Sequence, residues 1–143
     1  MRIKRYFLVL VALIAFTLQS FAQEGTTGIQ FFQGTFNEAL VKAKQENKVL
    51  FVDFYAVWCV PCKKMAKTVF TQEEVGKFFN EHFVSIQLDA EKGDNVNIAK
   101  SYKVVAYPTV AFISPDGKAI SVNTGAMNKD ELLEAAKIAA GQS

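Results

Sequence analysis

The sequence VLFVDFYAVWCVPCK, residues 49–63, decides the fold class. Its first seven residues are aliphatic or aromatic apart from Asp53, a pattern typical of a strand that is covered on both faces, as in parallel sheets. Pro61 follows shortly after and suits the first turn of a helix, where a missing N–H costs nothing. The stretch predicts a buried strand that leads, through a short turn carrying two cysteines, into a helix.

Helices and strands alternate on either side of this stretch. Thr35 with Glu38, Thr71 with Glu74, and Asn128 with Glu131 have the spacing of helix capping boxes. We predict helices at 36–46, 62–70, 75–79 and 94–102, a final helix reaching Ile138, and strands at 49–55, 83–88, 109–113 and 119–123. The segment after Cys62 forms two helices or one bent helix. The order αβαβαββα indicates an α/β fold with a mixed four- to five-stranded sheet and helices on both faces.

The first 22 residues have the pattern of a secretory signal peptide. Three basic residues among the first five positions precede thirteen uncharged, almost wholly apolar residues at 6–18, and Ser20 and Ala22 are small residues two apart. A membrane anchor is the alternative, but thirteen helical residues reach about 20 Å, against a hydrocarbon core of roughly 30 Å. We expect cleavage after Ala22 and a location in the periplasm or cell envelope.

The chain without its first 22 residues fits one small domain. It would have 121 residues with 13 basic and 14 acidic side chains, because the removed segment carries three cations and no acids. This balance does not support a nucleic-acid partner, and the length suffices for one core without disulfide staples. We expect a loose leader at 23–33, with a short extended piece at 29–32, and one domain at 34–143.

Cys59 and Cys62, the two cysteines of the chain, fall at the predicted start of a helix. A thiol there faces free backbone N–H groups and the positive end of the helix dipole, which favour its thiolate. Cys59 has that position. Cys62, three residues later, can attack a mixed disulfide on Cys59 and release the partner as a thiol. The pair is therefore predicted to act as a two-electron switch.

Three structural roles for the pair are less consistent with the sequence. A staple closing about four residues would contribute roughly 2 kcal/mol, against almost 5 for a long loop. A zinc site needs two further ligands, but His82 is the one histidine and no other cysteine exists, so no metal is expected. Inert thiols would be oxidised in a secreted protein.

These features resemble the thioredoxin superfamily over about residues 34–140. FVDFYAVWCVPCK at 51–63 resembles the family's active-site strand and helix start, YPT at 107–109 its cis-proline segment, and Gly125 with Ala126 its glycine turn before the last helix. The resemblance implies a thioredoxin-like fold. The chain looks similar to secreted members of the superfamily, including the periplasmic terminal domain of the membrane electron transporter DsbD.

The resemblance also implies roles for the residues of the switch. Cys59 would be the exposed attacking thiol and Cys62 the buried resolving thiol. Asp53 matches the family's buried carboxylate, and burial in an apolar strand would raise its pKa, so that it exchanges a proton with Cys62 through water. A polar strand end that faces solvent is the alternative for Asp53.

The peptide-binding part of the site is implied by the same likeness. A cis Pro108 would turn the Tyr107 backbone toward the thiols, where a substrate peptide can pair with it. Trp58 would shape the rim, with a core aromatic as the alternative, and Val60 and Pro61 would contact the substrate between the cysteines. Phe78, Phe79 and Phe83 are assigned to the core, and His82 to a surface position at a helix end.

The chain departs from the family pattern in three places. Val60-Pro61 replaces the common Gly-Pro, Ser85 takes the place of a lysine often found near the buried carboxylate, and Lys67 stands where cytosolic thioredoxins have a mid-helix proline, which predicts a straighter helix. The apolar dipeptide adds no donor or charge beside Cys59. A modest lowering of the thiol pKa, and a reductase or isomerase rather than a strong oxidase, is therefore expected.

The resulting hypothesis is a monomeric thiol-disulfide oxidoreductase of the cell envelope. It would exchange dithiol and disulfide with protein partners without a bound cofactor, and a reductase in an oxidising compartment would need a membrane electron-transfer donor to recharge it. A non-catalytic peptide-binding or chaperone module that uses the Tyr107 groove is the alternative, although both intact cysteines argue against it.

Overall fold

The computed structural model describes residues 27–141. The predicted signal peptide at 1–22 and the first part of the leader lie outside the described residues. The elements in chain order are α1 (Phe36–Glu46), β1 (Val49–Tyr55), α2 (Val60–Thr68), α3 (Glu73–His82), β2 (Phe83–Asp89), α4 (Asn95–Ser101), β3 (Thr109–Ile113), β4 (Ala119–Thr124) and α5 (Lys129–Ala139). No helix between residues 27 and 141 is long and apolar enough to cross a membrane.

The four strands form one mixed sheet in the order β2-β1-β3-β4. β1 runs parallel to β2 and antiparallel to β3, and β3 runs antiparallel to β4. β1 therefore has a neighbour on both sides, and its five middle residues are all buried. The α/β fold with a mixed sheet is confirmed, and the prediction for Val49–Tyr55 matches the observed strand.

Side chains along β1 alternate between two hydrophobic cores, one on each face of the sheet. Leu50, Val52 and Phe54 pack with residues of α1 and α4, whereas Phe51 packs with residues of α2, α3 and α5. Helices cover both faces, as the sequence predicted. By the same alternation, Asp53 shares the face of Phe51, which is the face that α2 covers.

Two of the three predicted capping boxes are present. Thr35 with Glu38 caps α1 and Asn128 with Glu131 caps α5. The box at Thr71 is wrong, because α3 begins at Glu73 with Gln72 as a cap that makes no side-chain bond. The Thr71 hydroxyl instead donates to the Lys67 carbonyl of the preceding segment at 2.7 Å. Cys62 is thus followed by two separate helices.

The described part of the leader packs against α3 and the edge of the sheet. Phe31 forms an isolated parallel bridge with Ser85, so the extended piece predicted at 29–32 is present in part. The leader crosses α3 at Gly76, where an added Cβ would lie 2.4 Å from the backbone of Gly28. Glycine is required at position 76 because any side chain there would overlap the leader.

Candidate active site

Cys59 and Cys62 are joined by a disulfide at the start of α2. Cys59 is the N-cap of the helix, and its Sγ accepts a hydrogen bond of 3.2 Å from the Cys62 backbone N–H. This N–H is one of the groups that a helix leaves free at its N-terminus, and it favours a thiolate over a neutral thiol at Cys59 once the disulfide is reduced. Pro61 occupies the first turn, as predicted.

Both cysteines are buried in this disulfide-bonded state. Cys59 is 2% exposed and Cys62 is 5% exposed, so the expectation that Cys59 is the exposed thiol is wrong here. Ala56 packs with the two cysteines, and the partly buried rings of Tyr55 and Tyr107 pack against this small cluster. The two rings come from different parts of the chain, so the sequence alone did not indicate that they would cover the disulfide.

Asp53 lies buried on the α2 side of the sheet. It is 2% exposed, which excludes a strand end that faces solvent. Its Oδ2 accepts a hydrogen bond of 2.9 Å from the Gln87 side-chain amide. Burial raises the pKa of Asp53 from 3.8 to about 6, and the bond from Gln87 offsets part of that increase. The carboxyl group can therefore gain or lose a proton close to neutral pH.

With Ser85 in place of a lysine, the neighbour of Asp53 on β2 is an uncharged side chain that the sequence did not identify. In the parallel pairing of β1 with β2, Asp53 is opposite Gln87 and Phe51 is opposite Ser85. The two positions on β2 are two residues apart, so they share a face of the sheet but differ by about 7 Å along the strand. The side chain that accompanies the carboxylate is a neutral amide donor.

Asp53 and Cys62 line one cavity. Its volume is about 310 Å³, and Gln87, Lys63 and Ala66 are among the other residues that line it. A cavity of this size with polar groups on its wall has room for water. The carboxyl group and the inner sulfur therefore border one space that is large enough for water.

Trp58 stands at the rim of the site, and the alternative of a core aromatic is wrong. Its side chain is 63% exposed, and its ring meets that of Tyr107 edge to face with centroids 6.0 Å apart. The indole N–H donates a 2.9 Å hydrogen bond to Oε2 of Glu91, in the loop after β2. Sequence reasoning missed Glu91 because nothing local links it to Trp58.

The segment around Pro108 closes the other side of the site. The Tyr107–Pro108 peptide bond is cis, as the family resemblance implied. The Pro108 carbonyl accepts a 2.8 Å hydrogen bond from the Gly125 N–H, and the Thr109 hydroxyl donates to the Ala106 carbonyl at 2.8 Å. These bonds fix the loop whose Tyr107 ring packs against the cysteines.

The remaining predicted residues take the following places. Val60 is 72% exposed, and Pro61 is exposed beside it. Phe79 and Phe83 are buried in the core and Phe78 packs against it, as predicted. His82 is half-buried at the end of α3, with its ring 4.4 Å from that of Phe78. Within 27–141, no group of three or more His, Cys, Asp or Glu side chains is arranged to hold a metal ion.

Sequence comparison relates this site to known proteins. The family model described as a thioredoxin-like domain matches residues 36–140. The thiol:disulfide interchange protein DsbD of Pseudomonas fluorescens is 34% identical over 80 residues, which are 55% of this chain and 14% of that protein. An H-type thioredoxin of Oryza sativa subsp. indica is 36% identical over 111 residues, 78% of this chain and 84% of that protein. The chain thus spans a small part of the DsbD relative's length.

Solved structures have the same fold. A candidate disulphide-isomerase from Bacteroides thetaiotaomicron aligns with a TM-score of 0.72 and 41% identity, covering 83% of this chain and 98% of that one. The oxidised C-terminal domain of Neisseria meningitidis DsbD aligns with a TM-score of 0.63 and 28% identity, covering 76% of this chain and 98% of that one.

Proposed function

The chain belongs to the thioredoxin-like family of thiol-disulfide oxidoreductases, and from this premise we propose that it exchanges dithiol and disulfide with protein partners through Cys59 and Cys62. One observation carries the proposal. The two sulfurs are bonded to each other at a helix N-terminus, where the Cys62 N–H is directed at the Cys59 Sγ. The chain thus holds a disulfide at the place where its reduced form gives a reactive thiolate.

The exchange runs in two steps. The Cys59 thiolate attacks one sulfur of a partner disulfide, forms a mixed disulfide and displaces the other partner sulfur as a thiolate, which takes a proton from water. Cys62 then loses its proton, attacks the Cys59 sulfur and displaces the second partner thiolate. The partner disulfide gains two electrons, and the protein loses two electrons and the single proton of Cys62, because Cys59 starts as a thiolate. The second partner thiolate, like the first, then equilibrates with protons of the solvent. The reverse sequence oxidises a partner dithiol.

Asp53 is proposed to accept and return the Cys62 proton. The shared cavity and the raised pKa of about 6 support this role, because a general base works best when its pKa lies near the operating pH. An ionised Asp53 takes the proton while the mixed disulfide is resolved, and it gives the proton back when the Cys59–Cys62 bond is reduced. Gln87 holds the carboxylate in place.

A substrate peptide is proposed to bind beside the cis-proline loop. The backbone of Tyr107 makes no hydrogen bond with any part of the chain that the structure describes, so its polar groups are open to pairing with an extended peptide. Trp58, Val60 and Pro61 are exposed around the disulfide and offer apolar contact. This arrangement would align a partner sulfur with Cys59.

We propose that the protein acts as a reductase or isomerase in the periplasm or cell envelope, as a monomer and with a membrane protein as its electron donor. The apolar Val60-Pro61 pair adds no charge that would stabilise the Cys59 thiolate further. This supports a reductase or isomerase rather than a strong oxidase. The signal-like pattern of residues 1–22 and the likeness to a DsbD domain support the location and the donor. No bound cofactor is needed for the exchange.

Insulin reduction by dithiothreitol tests the proposed activity. The intact protein is expected to accelerate it, Cys59→Ser to abolish the acceleration, and Cys62→Ser to form an insulin adduct that dithiothreitol releases. The Cys59→Ser/Cys62→Ser double variant is the matched control and forms no adduct. A protein that binds peptides equally well in all four forms and accelerates nothing would be a binding module instead.

A further inference from the structure

Two carboxylates lie at the Trp58 side of the site and have no role in the proposed exchange chemistry. Glu91 accepts the hydrogen bond from the Trp58 indole at 2.9 Å. Asp89, the last residue of β2, accepts a 3.1 Å bond from the Glu91 backbone N–H. The Ala90 N–H donates to the Tyr55 carbonyl at 2.8 Å, which ties this loop to the end of β1. Both carboxylates are therefore fixed at the rim of the site.

Among residues 27–141, no ion pair includes the carboxylate of Asp89 or of Glu91. Lys63 and Lys92 are close in sequence to the site, and both are exposed. The pKa of the Tyr107 hydroxyl is raised, first by burial and then by the negative charges of Glu91 and Asp89. The field of the two carboxylates thus reaches the loop against which a substrate peptide is proposed to pair.

We propose that Glu91 and Asp89 make the site selective for partners whose reactive cysteine is flanked by lysine or arginine. The inference rests on the proposed exchange function and names its substrate class. Val60 supplies apolar contact that does not distinguish charge, whereas fixed carboxylates at the edge of an apolar surface attract a cation and repel an anion. The exposed ring of Trp58 also favours a cation over an anion. Charge complementarity of this kind acts mainly on the rate of productive encounter.

Three synthetic peptides test this selectivity. They differ only in the two residues that flank a single cysteine, which are both Lys, both Gln or both Glu, and each cysteine carries a mixed disulfide with 2-mercaptoethanol. The reduced protein reacts with each peptide under single-turnover conditions. Every reaction converts one mixed disulfide into two thiols and the protein dithiol into the Cys59–Cys62 disulfide, so the rates compare directly.

The lysine peptide is expected to react about five-fold or more faster than the glutamate peptide at about 10 mM salt, and the ratio to approach one at about 0.5 M salt. Glu91→Gln keeps a carbonyl for the Trp58 indole and lowers the ratio, and Glu91→Lys inverts it. The ratio cancels any change in Cys59 reactivity that is common to all peptides. Glu81→Gln is the matched control, because Glu81 precedes the start of β2, roughly 20 Å along the strand from its end.

Equal rates for the three peptides with the intact protein at low salt would overturn the inference, as would a lysine preference that Glu91→Gln leaves unchanged. A dimer in sedimentation at the same salt, with the rim closed by a second copy, would overturn it too. Failure to react with any of the three peptides would contradict the exchange function itself, which separates the two proposals.

Discussion

The Gln87 side-chain amide donates a 2.9 Å hydrogen bond to the Asp53 carboxylate across the parallel pair β1 and β2. The pairing opposes these two residues directly, so the bond follows from strand register. It is a neutral bond to a group that is almost fully buried, and burial outweighs it, because the pKa of Asp53 still rises to about 6. Gln87 therefore moderates the pKa of Asp53 without holding the carboxylate permanently ionised.

Replacement of Gln87 by lysine is expected to lower the pKa of Asp53 by roughly one unit or more, because an opposite charge within bonding distance favours the ionised form. Gln87→Leu removes the donor and is expected to raise the pKa above about 6. Carbon-13 NMR of the Asp53 carboxyl group over pH 3–9 measures both effects. Gln45→Lys, an exposed position on α1, is the matched control, and equal midpoints in all four proteins would show that Gln87 does not influence Asp53.

Asp53 is also expected to make folding stability depend on pH. The folded pKa, about 6, lies above the value of 3.8 for an unperturbed carboxyl. The folded state therefore holds its proton over a pH range in which the unfolded state has lost it. The contribution of protonated Asp53 is fully present below about pH 3.8 and is lost as pH rises through 6. Its size is of the order of 3 kcal/mol.

The Asp53→Asn variant isolates this contribution. Asparagine keeps an oxygen for the Gln87 amide and carries no charge, so the free energy of unfolding of the variant should not contain this pH-dependent loss. The stability of the variant relative to the intact protein is therefore expected to rise by about 2–3 kcal/mol as the pH increases from 4 to 8. Urea unfolding of both disulfide-bonded proteins at a series of pH values measures the difference. A constant difference across that range would mean that Asp53 does not titrate as proposed.

Local signals in the sequence predicted most of the fold. In each of the two capping boxes that are present, the paired residues lie within one helical turn, so their spacing alone determines the capping bonds. These pairs are Thr35 with Glu38 and Asn128 with Glu131. The same spacing at Thr71 and Glu74 does not give a capping box, because tertiary contacts fix the chain differently there. The Phe70 carbonyl accepts a hydrogen bond from the Ile29 N–H, and the chain turns there to meet the leader.

Local patterns located only part of the site, and the family resemblance added Tyr107 and Pro108. Cys59, Cys62 and Asp53 lie within ten positions of one another, so the strand-to-helix pattern locates them. Gln87 and Glu91 reach the site through strand register and through the loop after β2, which no local pattern determines. Ser85, the residue that the family likeness indicated on β2, is opposite Phe51 and not opposite Asp53.

Gly76→Ala is expected to destabilise the fold, although alanine normally improves a helix by about 1 kcal/mol over glycine. An added Cβ would lie 2.4 Å from the Gly28 backbone, and relief of that overlap requires the leader or α3 to move, at a cost of about 1–3 kcal/mol. Lys77→Ala, at the next and exposed position of α3, is the matched control with little effect. Denaturant unfolding gives the sign, and a stabilised Gly76→Ala would contradict the observed crossing.

The apolar residue between the cysteines is expected to set the redox equilibrium. Val60 is 72% exposed beside the N-cap sulfur of Cys59, and a cation there would stabilise the thiolate. Val60→Lys is therefore expected to lower the Cys59 pKa and to shift the equilibrium with glutathione toward the dithiol by about three- to ten-fold, where ten-fold corresponds to about 30 mV. The absorbance of the thiolate reports the pKa, and alkylation after equilibration reports the dithiol fraction.

Val41→Lys provides the control, because it makes the same substitution at an exposed position on α1, outside the residues that surround the disulfide. It changes the net charge equally, so an effect confined to Val60→Lys is local. If both variants shift the equilibrium alike, net charge is responsible. If neither does, the charge at position 60 does not reach Cys59, and the argument from the apolar dipeptide to a reductase or isomerase loses its basis. An intact protein that is already mostly dithiol in oxidising glutathione would exclude that direction outright.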